Sequence, residues 1–232
     1  MEEFMTASFW LAVGQIIMID ILLGGDNAVV IALACRNLPD KQRTQGILYG
    51  TIGAIVLRVI LIAFALALLA IPYLKIVGAL LLLWIGIKLL QPEGESDHTI
   101  SSSDKLWGAV KTVIIADLVM SVDNVLAIAV AAQGAGQQHQ LPLVIFGLLV
   151  SIPIIVFGSQ LVLRLMERFP VVITLGAMLL GWIAGQMAYS DPALKPYLPD
   201  SAWLGYAAAA FGALLVLAVG KFQAKRALQH SP

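Results

Sequence analysis

The chain has 232 residues, 60% of them hydrophobic and only 12% charged, with a formal net charge of zero and a mean hydropathy of +0.92. That balance excludes an ordinary soluble domain and points to an all-α membrane protein with several spans, while the absence of a long basic run excludes nucleic acid as a partner. The one cysteine, Cys35, excludes an intrachain disulfide and a cysteine-cluster metal site.

The chain opens on Met1-Glu2-Glu3, which is acidic and followed by no small-residue cleavage site, so it reads as mature sequence without a signal peptide. Hydropathy then predicts seven spans, at residues 9–34, 47–70, 73–90, 106–132, 143–166, 171–189 and 203–222. Each is long enough to cross about 30 Å of hydrocarbon at about 1.5 Å per residue.

The first span carries Asp20, Gly24, Gly25, Asp26 and Asn27 in a stretch that is otherwise apolar. A carboxylate at mid-bilayer costs roughly 2.5–3.5 kcal/mol and is by default a functional residue. At about 100° per residue Asp20 and Asn27 share a helix face, with Asp26 about 240° from Asp20. Both carboxylates reach one site only if the helix breaks or the site wraps around it. Gly24-Gly25 stands where a break would help, and freed carbonyls there would add cation ligands. Close helix packing is the competing reading of the two glycines.

The second span carries Arg58, read as the counter-charge to one of the aspartates rather than as a substrate ligand. After the third span, residues 92–105 are polar, acidic and Ser-rich, which predicts a flexible cytoplasmic linker. A cation-sensing role for Glu93, Glu95, Asp97 and His98 in that linker is the lesser alternative.

The fourth span repeats the first. Asp117, Asp123 and Asn124 follow Asp20, Asp26 and Asn27 at one constant offset of 97, and Ser121 takes the place of Gly24 as a weaker helix perturbation. The third and sixth spans match as well: Gly78-Ala79 and Trp84-Ile85 recur as Gly176-Ala177 and Trp182-Ile183, at an offset of 98. Nothing matches Arg58 in the fifth span, where the corresponding stretch from Ser151 to Ile155 is uncharged. The chain thus divides into a first three-helix repeat (1–91), the linker (92–105), a second repeat (106–190), and a seventh helix with its tail (191–232). Three spans are an odd number, so the second repeat must cross the membrane inverted, a recurrent transporter plan with a midplane site.

Lys and Arg set the orientation. Arg36, Lys41, Arg43, Lys88, Lys105, Lys111, Arg164, Arg168, Lys221, Lys225 and Arg226 fall on one side, which reads as the cytoplasm, against Lys195 and Lys75 on the other. The N-terminus is then outside and the C-terminus cytoplasmic. Asp20 and Asp117 lie near mid-membrane, Asp26 toward the cytoplasm and Asp123 toward the outside. That spacing lets a cation bind centrally and pass between two gates. Trp10, Trp107, Trp203 and Tyr189 near span ends read as interfacial anchors, and Gln15, Thr51, Ser151, Ser159, Gln160, Thr174 and Gln186 as interhelical hydrogen-bonding groups.

The donor set limits the ion. Carboxylate and amide oxygens suit hard divalent cations such as Mg²⁺, Ca²⁺ and Mn²⁺. His98, His139 and His230 all fall in predicted loops or the tail, which disfavours zinc or copper. Met18 and Met120, beside the Asp motifs, are a lesser possibility as soft ligands favouring Mn²⁺. Desolvation and mutual repulsion favour protonation of any unpaired carboxylate, which suits proton exchange.

With Gly25-Asp26-Asn27-Ala28 and Ser121-Val122-Asp123-Asn124-Val125, the chain resembles the TerC family of integral membrane proteins, related to the lysine-exporter superfamily. The resemblance covers nearly the whole chain. The short seven-span form is similar to bacterial members implicated in manganese efflux, which implies Mn²⁺ as the exported ion, with metal supply to exported enzymes as a further role. It also implies residence in the bacterial inner (plasma) membrane. Carried over by position, the family's acidic and amide residues fall on Asp20, Asp26, Asn27, Asp117, Asp123 and Asn124. Longer members have spans this chain lacks.

The expectation is a divalent-cation transporter, not an enzyme, with Mn²⁺ the leading ion, Ca²⁺ or Mg²⁺ behind it, and protons as a coupled partner in the bilayer. An intramembrane aspartyl protease would need two aspartates in distinct motifs, whereas duplicated aspartates with adjacent asparagines fit ligation better. An exporter of a small organic solute, and a membrane scaffold for metalation of secreted proteins, remain as alternatives.

Overall fold

The computed structural model describes residues 7–64, 71–91, 101–133, 140–199 and 201–229. Among them the chain forms seven helices and no strand: α1 (Ala7–Cys35), α2 (Asp40–Ala63), α3 (Leu74–Leu90), α4 (Ser102–Gln133), α5 (Gln140–Arg168), α6 (Val171–Tyr189) and α7 (Ala202–Gln229). Four are long and apolar enough to cross a membrane by length and composition: Asp40–Ile62, Val144–Arg168, Val171–Tyr189 and Ala202–Arg226. Large apolar side chains stand on the outside, with Phe157 72%, Leu161 66% and Phe211 67% exposed. A water-soluble monomer does not display such a surface, and lipid covers it without penalty.

Helix ends follow local chemistry. Pro39 precedes α2 with φ −55°, and Asp40 places a carboxylate in the positive first turn. The predicted second span therefore begins seven residues early, and its helix ends at Ala63, where Phe64 donates its N–H to Leu61 O; residues 65–70 lie outside the described chain. Ser101 starts α4: its hydroxyl accepts the Asp104 N–H at 3.2 Å and donates to the Asp104 carboxylate at 2.7 Å. This cap shortens the expected linker, since α4 begins at Ser102; residues 92–100 are outside the described chain.

The helices do not pack as two consecutive triplets. α1 packs on α5 and α2 packs on α4, so the second helix of each repeat lies against the first helix of the other. α1 also meets α4, α2 meets α5 and α3 meets α6. Each pair is mapped onto itself or onto its partner pair by exchanging α1–α3 with α4–α6. The consecutive pairs α1–α2 and α4–α5 touch far less. α7 stands outside this exchange and covers α6 and α3.

The small residues matched between the third and sixth spans lie on their buried faces. Gly78, Ala79, Leu82 and Gly86 of α3 correspond to Gly176, Ala177, Leu180 and Ala184 of α6, and all eight are buried. Two apolar cores result. One joins Ile31, Leu33, Ile47, Val113, Ile155 and Leu163; the other joins Val30, Leu82, Ile85, Met120, Leu180 and Met187. α1 and α4, the two helices bearing the Asp–Asn motifs, are the ones that place fully buried residues in both cores among the described residues.

Candidate cation site

Asp117 of α4 is 5% exposed and faces Arg58 of α2, which is 2% exposed. Arg58 Nη2 donates to Asp117 Oδ1 at 2.5 Å, and its Nε donates to Ser121 Oγ at 3.2 Å. Ser121, one turn beyond Asp117, donates its hydroxyl to Asp117 Oδ2 at 3.1 Å. Both carboxylate oxygens are thus engaged, and the expected pairing of Arg58 with an aspartate is formed.

Asn27 of α1 stands beside this pair. It is 4% exposed, and neither its Oδ1 nor its Nδ2 has a hydrogen-bond partner. A buried amide left unpaired costs roughly 1–3 kcal/mol, which a fold keeps only for a reason. Asn27 and Asp117 line a common cavity of about 10 Å³ with Val30, Ile31 and Val113. This is room for about one water-sized particle. Val113 lies one turn before Asp117 and Ser121 one turn after it.

Asp26 is half-buried, and its Oδ1 accepts the Asn27 N–H at 2.8 Å. Asn124 is half-buried on α4, two turns beyond Asp117. The side chains of Asp20 and Asp123, and Gly24 beyond its helical backbone, lie outside the described residues. Among the described residues no three imidazole, thiolate or carboxylate groups converge on one point.

Three expectations are corrected here. α1 is one helix from Ala7 to Cys35, so Gly24-Gly25 forms no break and frees no carbonyl. A Cβ on Gly25 would meet nothing within 4 Å, so close packing does not explain that glycine either. Ser121 likewise sits in an unbroken α4, where its hydroxyl joins Arg58 to Asp117 instead of perturbing the helix. Finally, Ser151 and Ser159 donate to Gly147 O and Ile155 O one turn back in their own helix, not across to a neighbour. Thr51 Oγ1, on the buried face of α2 two turns before Arg58, has no partner.

Sequence reasoning overlooked Asp191, which is fully buried in the α6–α7 connection. Its carboxylate accepts the N–H groups of Tyr73, Lys75 and Ile76 at 3.0–3.2 Å and of Ala193 at 2.7 Å. It is the cap of α3, supplied from the far end of the chain, and it holds Tyr73 at a left-handed φ of 66°. Burial alone would push this carboxyl up; the four donors outweigh burial and hold it below the ordinary carboxylate range. The Asp-Pro pair signals only a local turn. Tyr189, expected as an interfacial anchor, is instead tied into the same connection, its hydroxyl donating to Pro199 O at 2.6 Å and accepting the Ser201 N–H at 3.0 Å. A larger cavity of about 490 Å³ opens there, lined by Lys75, Tyr189, Ser190, Lys195, Leu198 and Pro199. Its described lining carries two ammonium groups and no carboxylate, which leaves the smaller cavity at Asp117 as the candidate cation site.

Comparison with known proteins settles the family. The model of the "Integral membrane protein TerC family" matches residues 5–228. This chain belongs to the TerC family. Among its TerC-like relatives is the Bacillus subtilis (strain 168) "Uncharacterized membrane protein YjbE", 44% identical over 183 residues, covering 79% of this chain and 81% of that protein. "Uncharacterized membrane protein YceF" of the same organism is 29% identical over 217 residues, with 90% and 81% covered. The Escherichia coli (strain K12) "UPF0053 inner membrane protein YgdQ" is 24% identical over 178 residues, with 69% and 73% covered. No solved structure matches the chain. As a TerC protein it is an integral membrane protein, and its apolar exterior is the lipid-facing surface.

Proposed function

We propose that this TerC protein carries a divalent metal cation across the bacterial inner membrane by alternating access, and that the ion is Mn²⁺, exported from the cytoplasm. The observation that carries the reading is the unpaired Asn27 amide sharing a small cavity with the buried carboxylate of Asp117. An amide oxygen and a carboxylate, with no sulfur or imidazole in the described lining of the cavity, form the start of an oxygen shell for a hard cation. The paired motif and its inverted reading supply the remaining donors from Asp20, Asp26, Asp123 and Asn124, in a protein of seven spans with the N-terminus outside.

Mn²⁺ is chosen on the family resemblance: the oxygen donors suit Mg²⁺ and Ca²⁺ as well, and a cavity of about 10 Å³ has room for one water-sized particle. Export, proton exchange and the absence of catalytic activity belong to the same proposal and rest on the family resemblance and the carboxylate set. An exporter of organic acids would need a cation to receive the substrate carboxylate, and Arg58 is already engaged by Asp117 and Ser121.

The test is Mn²⁺ flux in proteoliposomes with and without a pH gradient, comparing wild type with Asp117→Asn and Asp20→Asn. Flux in wild type that disappears in both folded variants supports the reading. No Mn²⁺ movement by wild type under any gradient overturns it.

A further inference from the structure

We propose that Arg58 is a tethered stand-in for the transported cation: it neutralises Asp117 while the site carries no ion, and it must leave that carboxylate for the ion to bind. The inference rests on the cation-transport reading and adds how the carrier returns without cargo.

Both oxygens of Asp117 already have donors, Arg58 on Oδ1 and Ser121 on Oδ2. Each oxygen keeps a second lone pair, but a divalent cation coming from the cavity beside Asn27 meets the guanidinium charge at the same carboxylate, and the two cations compete for it. Ser121 gives Arg58 a place to stay, because Nε holds the hydroxyl oxygen independently of the Nη2–Asp117 contact. Arg58 can thus swing one nitrogen off Asp117 and remain bonded. Among the described residues the arrangement exists once. At the repeat offset of 97 from Arg58 stands Ile155, which is buried in the apolar core. Had the counter-charge served only to hold a repeat together, the second repeat would need one as well; instead the corresponding interface of α1 with α5 is closed by a hydrocarbon side chain.

The consequence is a division of labour between the two strokes of the cycle. The loaded stroke carries the metal against Asp117, and the return stroke carries Arg58 against Asp117. In neither does Asp117 cross the apolar core as a bare carboxylate.

Two assays on purified protein in proteoliposomes separate the strokes. Net Mn²⁺ movement into Mn²⁺-free buffer requires the unloaded return, whereas exchange of radioactive Mn²⁺ at equal concentrations on both sides requires only the loaded stroke. Arg58→Gln is expected to cut net movement by about a hundredfold, the factor for an uncompensated carboxylate in the membrane, while exchange stays near the wild-type rate. Arg58→Lys, which keeps the charge but not the forked grip, is expected to restore much of the net movement and serves as the reporting variant where Arg58→Gln does not fold. Equal loss of both activities in the folded variant, or loss of neither, overturns the proposal. If wild type shows neither activity, the transport reading itself falls.

Discussion

Asn27 is the residue whose energetics and role conflict most openly. Its amide is buried and unpaired, so an apolar side chain of similar size should fit better. Asn27→Leu is expected to raise stability in detergent by about 1 kcal/mol and to abolish Mn²⁺ flux. Thermal melting and the flux assay check the two halves separately, and a destabilised yet active variant would contradict both. Asp117 behaves in the opposite way. Asp117→Asn removes one charge of the buried Arg58–Asp117 pair and should cost about 3–5 kcal/mol, whereas replacing both residues by leucine should cost far less. Thermal unfolding of the single and double variants measures that difference. Sequence was enough to show that Arg58 must meet an aspartate, because a lone intramembrane cation among four carboxylates has few other options. Which aspartate it meets depends on α2 lying against α4, and the spacing within one helix carries no information about its neighbour. The reading of Gly24-Gly25 as a break failed for a related reason: a glycine permits an interruption, but apolar residues on both sides keep α1 helical.

Among the elements, α3 and α6 are governed by contacts at their ends and faces. Asp191 caps α3 from a separation of 118 residues, the distance in sequence from Tyr73. Asp191→Asn should destabilise the protein by about 1–3 kcal/mol near neutral pH, through loss of charge-assisted bonds to four N–H groups. Because the folded carboxyl lies below its ordinary range, its contribution is complete above the unfolded value and is lost only as pH falls through the lower folded one. Melting temperature in the wild type is therefore expected to hold from neutral pH into the ordinary carboxylate range and to drop below it. The Asp191→Asn variant should lose this dependence. The α6–α7 contact is tighter still. A Cβ on Gly185 would stand 2.1 Å from Ala208 O, and one on Gly212 2.1 Å from Gly181 O. Gly185→Leu should separate the helices and prevent accumulation of folded protein, read by size-exclusion chromatography after solubilisation. The small-residue pattern of α6 was visible in the sequence as a copy of α3; that α7 uses a second face of the same helix was not, since α7 has no counterpart in the repeat.

At the scale of the molecule, hydropathy and the offset of 97 located nearly every helix and the duplication. They gave no hint that the halves exchange helices, because a repeat in sequence specifies equivalence and not neighbourhood. With α1 against α5 and α2 against α4, neither half closes its own core. Residues 1–100 and 101–232 expressed separately should each be degraded, and their co-expression should restore membrane-bound protein, measured by immunoblot of the membrane fraction. The same exchange also sets a clock. Arg58 and Asp117 are 59 residues apart, so at about 5–20 residues per second a ribosome needs roughly 3–12 s to deliver the second after the first. For those seconds α2 resides in or beside the bilayer without Asp117, and the speed of translation through that stretch decides how long the membrane's proteases have to find it.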